Sequence, residues 1–97
     1  MSCRIERLVS GEDLVVFRVS GRIHAENLNT LRELVGREKG SVAIDLAEVT
    51  LVDRETVSFL ALSEARGVEL KNGAAYIREW IVRERPRKDR DRADPNT

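Results

Sequence analysis

Residues 41–66 read SVAIDLAEVTLVDRETVSFLALSEAR, and this stretch decides the fold. Val42, Ala43, Ile44 and Leu46 form a short apolar run with β-branched members, the pattern of a central strand. Asp53 stands where a helix N-cap belongs, its carboxylate placed to accept from the N–H of Glu55 or Thr56. Glu55, in the first turn, suits the positive end of the helix dipole. Val57, Leu60, Ala61 and Glu64 follow at helical spacing, and Phe59 and Leu62 widen the apolar face. Arg66 complements the C-terminal end, and Gly67 supplies the left-handed stop. The expectation is a buried strand, a short acidic loop and a capped amphipathic helix.

Working outward, Cys3 to Leu8 has the mixed polarity of an edge strand. A turn at Gly11-Glu12-Asp13 leads to a second strand from Leu14 to Ser20. There Val15, Phe17 and Val19 share one face and Val16, Arg18 and Ser20 the other. The short connection predicts an antiparallel hairpin, ended by Gly21-Arg22. Leu28, Leu31, Leu34 and Val35 then make the apolar stripe of a helix from about Asn27 to Arg37, with His24, Glu26 and Asn27 near its cap. After the 41–66 unit, Val68 to Lys71 reads as a last strand and Asn72-Gly73 as a turn. Ala74 to Arg85 reads as a final helix, with Tyr76, Ile77, Trp80 and Ile81 inward and Pro86 as its stop.

The order is β-β-α-β-α-β-α, which predicts an α/β fold with a mixed sheet and right-handed crossovers. Asp45 within the central strand argues against helices on both faces, so helices should lie mainly on one. Residues 1–85 are expected to form one domain. The remainder, 86–97, has no apolar residue larger than alanine and is expected to be a disordered charged tail.

Composition excludes several functions. Seventeen basic residues balance seventeen acidic ones, which removes the long-range field that nucleic-acid or anionic-membrane binding uses. The arginines and lysine of the tail interleave with Asp89, Asp91 and Asp94, blunting that reading further. A lone cysteine, Cys3, forms no internal disulfide and reads as a small apolar residue. The charged start is unlike a signal peptide and no apolar run approaches ~20 residues, so a cytoplasmic location is expected.

No cofactor, metal or catalytic group is expected. His24 is the single histidine, so a site of several imidazoles is excluded. Ser58, His24 and Asp53 make a triad only on paper. Asp45 lacks the acidic neighbours that a magnesium-dependent phosphoacceptor needs, and neither Gly36 nor Gly40 belongs to a phosphate-cradling loop. Tyr76 and Trp80 read as core, not as a base-stacking platform. The remaining candidate is the surface from Val49 to Thr56 with the outward face of the following helix, centred on Asp53, Arg54, Glu55 and Thr56. It is either a partner-binding loop or simply a well-capped helix start.

Two segments carry a family resemblance. LVVFRVSGRIHAENLNTLREL resembles the strand, Ser-Gly-Arg turn and first helix of STAS domains. SVAIDLAEVTLVDRETVSFLAL resembles their strand, their D-L-x-x-V-x-x-(I/V)-D approach and their second helix. Together the resemblance spans roughly residues 3 to 85. It implies a non-enzymatic protein-interaction module, an anti-sigma-factor antagonist-like regulator whose partner is an anti-sigma factor, its kinase or a related regulator. It also leaves room for a weak homodimer. Alternatives from other classes are a small-ligand-binding or enzymatic α/β domain, and a self-associating structural subunit. In the family a phosphorylatable serine or threonine directly follows the loop aspartate. Here Arg54 holds that position and accepts no phosphoryl group. Thr56 and Ser58 are the substitute hydroxyls, and Ser58 reads as an outward-facing helix residue.

Overall fold

A computed structural model describes residues 3–84. The elements are β1 (Cys3–Ser10), β2 (Leu14–Arg22), α1 (Ala25–Arg37), β3 (Ser41–Leu51), α2 (Arg54–Ala65), β4 (Glu69–Lys71) and α3 (Ala75–Glu84). The strands form one four-stranded sheet in the order β1-β2-β3-β4. β1 pairs antiparallel to β2, and the other two pairings are parallel. This is a mixed sheet with three helices, in the predicted element order. Both crossovers advance the same way across the sheet, so a right-handed sense brings α1 and α2 to the same face. Arg32 of α1 stacks over the ring of Phe59 in α2 at 5.5 Å, and one core joins all three helices to the sheet.

The largest difference from the sequence reading lies in β3. The loop expected after Leu46 is strand as far as Leu51, and only Val52 and Asp53 connect it to α2. Arg18 pairs with Asp45 but Ser20 with Glu48, and Gly21 pairs with Val49 but Arg22 with Leu51. β3 therefore carries an extra residue at two places, each a bulge. A regular strand buries every second side chain. Here the inward set is Val42, Ile44, Leu46, Val49 and Val52, because each bulge resets the alternation. Asp45 holds the first bulge: its Oδ1 accepts from the Ala47 backbone N–H at 3.0 Å and from the Asn72 side-chain amide at 3.2 Å.

Element ends follow local chemistry. α1 starts two residues before the expected Asn27, because the His24 N–H donates to Asn27 Oδ1 (3.1 Å) and makes His24 the cap. α2 ends in paired bonds, Val68 N–H to the Ser63 carbonyl and Gly67 N–H to that of Glu64. Gly67 sits at φ +107°, as this terminus requires. Gly40 is needed for a different reason: a Cβ there would lie 2.8 Å from the Asp13 carbonyl oxygen. That same carbonyl accepts the Ser41 N–H and locks the hairpin to the start of β3. Arg7 reaches Glu38 in a two-pronged ion pair (2.8 and 3.2 Å) that ties β1 to the end of α1.

Three side chains expected inward are not. Tyr76 is 51% exposed, its hydroxyl donating to the Thr50 carbonyl at 3.2 Å, and Leu62 also faces solvent. Trp80 is only half-buried, packed against a core whose α3 contribution is Ile77 and Ile81. The helix is short and packs chiefly against α2, with Ile77 and Ile81 as its buried positions. Cys3 is partly buried against the core, and burial pushes its thiol up, in keeping with an inert residue. Arg85 and the tail expected over 86–97 lie outside the described residues.

The role of the bulge sets a testable expectation. Asp45→Ala removes two hydrogen bonds from an exposed carboxylate and should cost about 1 kcal/mol in urea unfolding. Phe17→Ala, in the centre of the core, should cost about 3–5 kcal/mol. An unchanged midpoint for Asp45→Ala would mean that strand pairing alone holds the bulge.

Candidate functional site at the carboxyl end of the sheet

β2 and β3 both run into helices at the same end of the sheet. There the caps of α1 and α2, His24 and Asp53, come side by side, and the Ile23 N–H donates to the Leu51 carbonyl at 3.1 Å. Between them lies a cleft of about 180 Å³ lined by Arg22, Ile23, His24, Leu51, Val52 and Asp53. The carboxyl ends of parallel strands are where α/β sheets present binding groups.

Asp53 is the cap that its position predicts. Its Oδ1 accepts the Thr56 N–H at 2.8 Å, and not that of Glu55. The adjacent Thr56 side chain, the Thr56 backbone N–H and, more weakly, His24 hold the Asp53 carboxyl below the usual carboxylate range. Arg54 projects outward with a side chain 78% exposed, and its ion pair among the described residues is a loose 3.8 Å contact with Glu84 at the end of α3. Glu55 is likewise exposed.

Thr56 differs from its neighbours. It is fully buried, and its Oγ1 has no hydrogen bond of good geometry among the described residues. Of the four residues singled out in the sequence, Asp53, Arg54 and Glu55 are exposed and Thr56 is buried beneath them. Burial also closes Thr56 to a kinase. Ser58 is exposed on the outer face of α2, as its helical position predicts.

The structure adds Tyr76 to this surface and moves Leu51 from a loop to the end of a strand. Leu51, read as loop, is 50% exposed beside the cleft, and Tyr76, read as core, stands next to it through its bond to Thr50. The signal for Leu51 was present in the three-residue spacing of Leu46, Val49 and Val52, which fixes Thr50 and Leu51 as outward.

Chemically, the site offers one aromatic ring, one aliphatic side chain and alternating fixed charges around a small apolar cleft. The described residues contain no group of three or more metal-ligating side chains. No described helix is long and apolar enough to cross a membrane. No family model and no curated protein matches this chain.

The Asp53 cap makes a signed prediction. A carboxyl whose folded pKa is depressed contributes stability that is complete above its unfolded value, near 3.9, and lost as pH falls through the lower folded value. Asp53→Ala should cost about 0.5–2 kcal/mol at neutral pH. Asp53→Asn keeps an acceptor, so it should cost less and flatten the loss of stability below pH ~4. Thr56→Val removes the hydroxyl that helps hold the Asp53 carboxyl down, so it should lower stability slightly at pH 7 and less at pH 3. Thermal melts at pH 7 and pH 3 read all three; a Thr56→Val variant that melts with wild type at both would show that the hydroxyl is no working part of the cap.

Proposed function

We propose that this chain is a non-enzymatic protein-interaction module, a STAS-like, anti-sigma-factor antagonist-type regulator that lacks the usual phosphoacceptor. The observation that carries the reading is the presentation of Asp53-Arg54-Glu55. These residues stand exposed on the rigid start of α2, beside an apolar cleft, Leu51 and Tyr76. Arginine and tyrosine next to a desolvatable apolar patch are the residue types that dominate protein interfaces. An enzymatic reading is less favoured because His24 and the carboxylate of Asp53, which is committed to its cap, are the only general acid or base groups lining the cleft.

In this proposal the interface stays in one state. A phosphoryl group after the loop aspartate would add about −1.5 to −2 charges at a helix N-terminus. Arg54 places a fixed positive charge there instead, and the substitute at Thr56 is buried. The surface then meets an acidic partner constitutively, in a cytoplasmic signalling or transcription-regulating complex.

The test begins with affinity capture from the host and identification of the bound regulator by mass spectrometry. Titration of that purified partner follows at 50 and 500 mM salt. Arg54→Glu should weaken binding roughly tenfold at low salt, about 1.4 kcal/mol, and less at high salt, where charges at the surface are screened. Leu51→Ala should weaken binding at both salts. Equal affinities for wild type and both variants would remove this end of the sheet from the interface. An anti-sigma kinase with ATP should leave the loop unmodified in wild type, and intact mass reads that directly.

A further inference from the structure

All three helices cover one face of the sheet, and no described element covers the opposite face, where Ala43 alone of the central positions is fully buried. Its side chains stand in register across the four strands. One row is Leu8, Val16, Ala43 and Glu69; the next is Glu6, Arg18, Asp45 and Lys71. The first row has an apolar centre. In the second, charge alternates strand by strand: negative, positive, negative, positive.

That order has a symmetry consequence. An alternating row of four, read backwards, is its own complement. Consider a second copy laid face to face, related by a two-fold axis parallel to the strands and passing between β2 and β3. β1 then lies over the partner's β4, and β2 over the partner's β3. Glu6 meets the partner's Lys71, Arg18 meets the partner's Asp45, and each contact occurs twice. In the adjacent row Val16 lies over the partner's Ala43, which is already buried within its own copy, and Leu8 lies over the partner's Glu69 at the rim, so the charged row decides the pairing.

We propose that the bare sheet face is a homodimer surface and that its occupant is a second copy of this chain. Charge complementarity carries the choice of occupant. The pairs within one copy are loose, Arg18 to Glu6 at 3.8 Å and Arg4 to Glu6 at 3.6 Å, so these charges remain available to an opposing sheet. Stacked sheets lie about 10 Å apart and cross at about 30°, an angle their own twist supplies.

The other bare element, the outer edge of β1, does not compete. Antiparallel self-pairing sets residues of one face opposite each other, and the two longest registers place Glu6 against Glu6 or Arg7 against Arg7. Like charges directly opposed disfavour both. β4 is only three residues long, so the face that all four strands share is small, and the dimer is weak, forming at high micromolar concentration.

The experiment is sedimentation equilibrium on the full chain from 10 μM to 1 mM, with circular dichroism and melting to establish folding. Wild type should dimerise in this range, and more weakly as salt rises. Glu6→Lys opposes the partner's Lys71, and Lys71→Glu opposes the partner's Glu6; each should weaken the dimer at least tenfold. The double variant Glu6→Lys/Lys71→Glu restores both intermolecular pairs and should return to within about threefold of wild type.

A second readout is the amide spectrum, whose concentration-dependent shifts should centre on Leu8, Val16, Arg18 and Asp45. Wild type that stays monomeric to 1 mM overturns the proposal. So does a dimer indifferent to both single changes, a double variant that fails to recover, or one weakened instead by Arg54→Glu. Face amides protected independently of concentration would mean that the chain's own tail occupies the face, which overturns the dimer as well.

Discussion

The structure depends on the irregular pairing of β3. A central strand in a one-sided sheet must keep one face apolar along its whole length, yet it must also end in a helix cap at the right height. A regular strand from Ser41 would turn Val49 to the solvent side, and a single bulge would do the same to Val52. Two extra residues solve the problem, letting Leu46, Val49 and Val52 all enter the core at spacings of three. Bulges also raise local twist, which swings the end of the strand and re-aims whatever follows. The start of α2 inherits its position from this geometry.

The end of the sheet then becomes a place where two helix termini are concentrated. Each brings unpaired backbone N–H groups and the positive end of a dipole. Asp53 answers these in α2 with its carboxylate; in α1 the exchange runs from the His24 N–H to Asn27. Once the caps are filled, the termini no longer call for a bound anion. What stays exposed around them is the outer rim of Arg22, Arg54, Glu55, Leu51 and Tyr76. The rigidity of α2 matters here. Thr56, Val57, Leu60 and Ala61 are fully buried, so the exposed residues between Asp53 and Thr56 are held without much freedom to lose on binding.

Much of this was legible in the sequence, for identifiable reasons. Alternation in β2, the three-four spacing of Leu28, Leu31, Leu34 and Val35, and the Asp53 cap each express a local rule that the fold does not contest. The errors came where tertiary context overrides period. Two residues of α3, Ile77 and Ile81, suffice to dock it, so Tyr76, equally apolar in pattern, is free to bond to Thr50 at the surface. Leu62 fits the α2 stripe by type but lies on the side of the helix that no other element covers. The spacing of three after Leu46 looked like a loop because a strand period is two. Only pairing with β2 shows that the same residues remain in the ladder. Of the candidate site, Asp53, Arg54 and Glu55 were readable from helix-start chemistry. The cleft beside them was not, because its other wall comes from Ile23 and His24, about thirty residues away in the chain.

Asp45 links the two ends of this account. Its side chain belongs to the bare face by register, between Arg18 and Lys71, but its oxygen is used by the Ala47 N–H and by Asn72. A carboxylate has about four acceptor positions, so these bonds leave room for a guanidinium from an opposing sheet. The two demands are compatible. A carboxylate pinned by the bulge presents its remaining lone pairs in a fixed direction, which lowers the ordering cost of an ion pair made with it. Sheet face and loop are thus distinct surfaces that share one strand, and the residue best placed to connect them is the acidic one whose presence in a central strand first argued for a bare face.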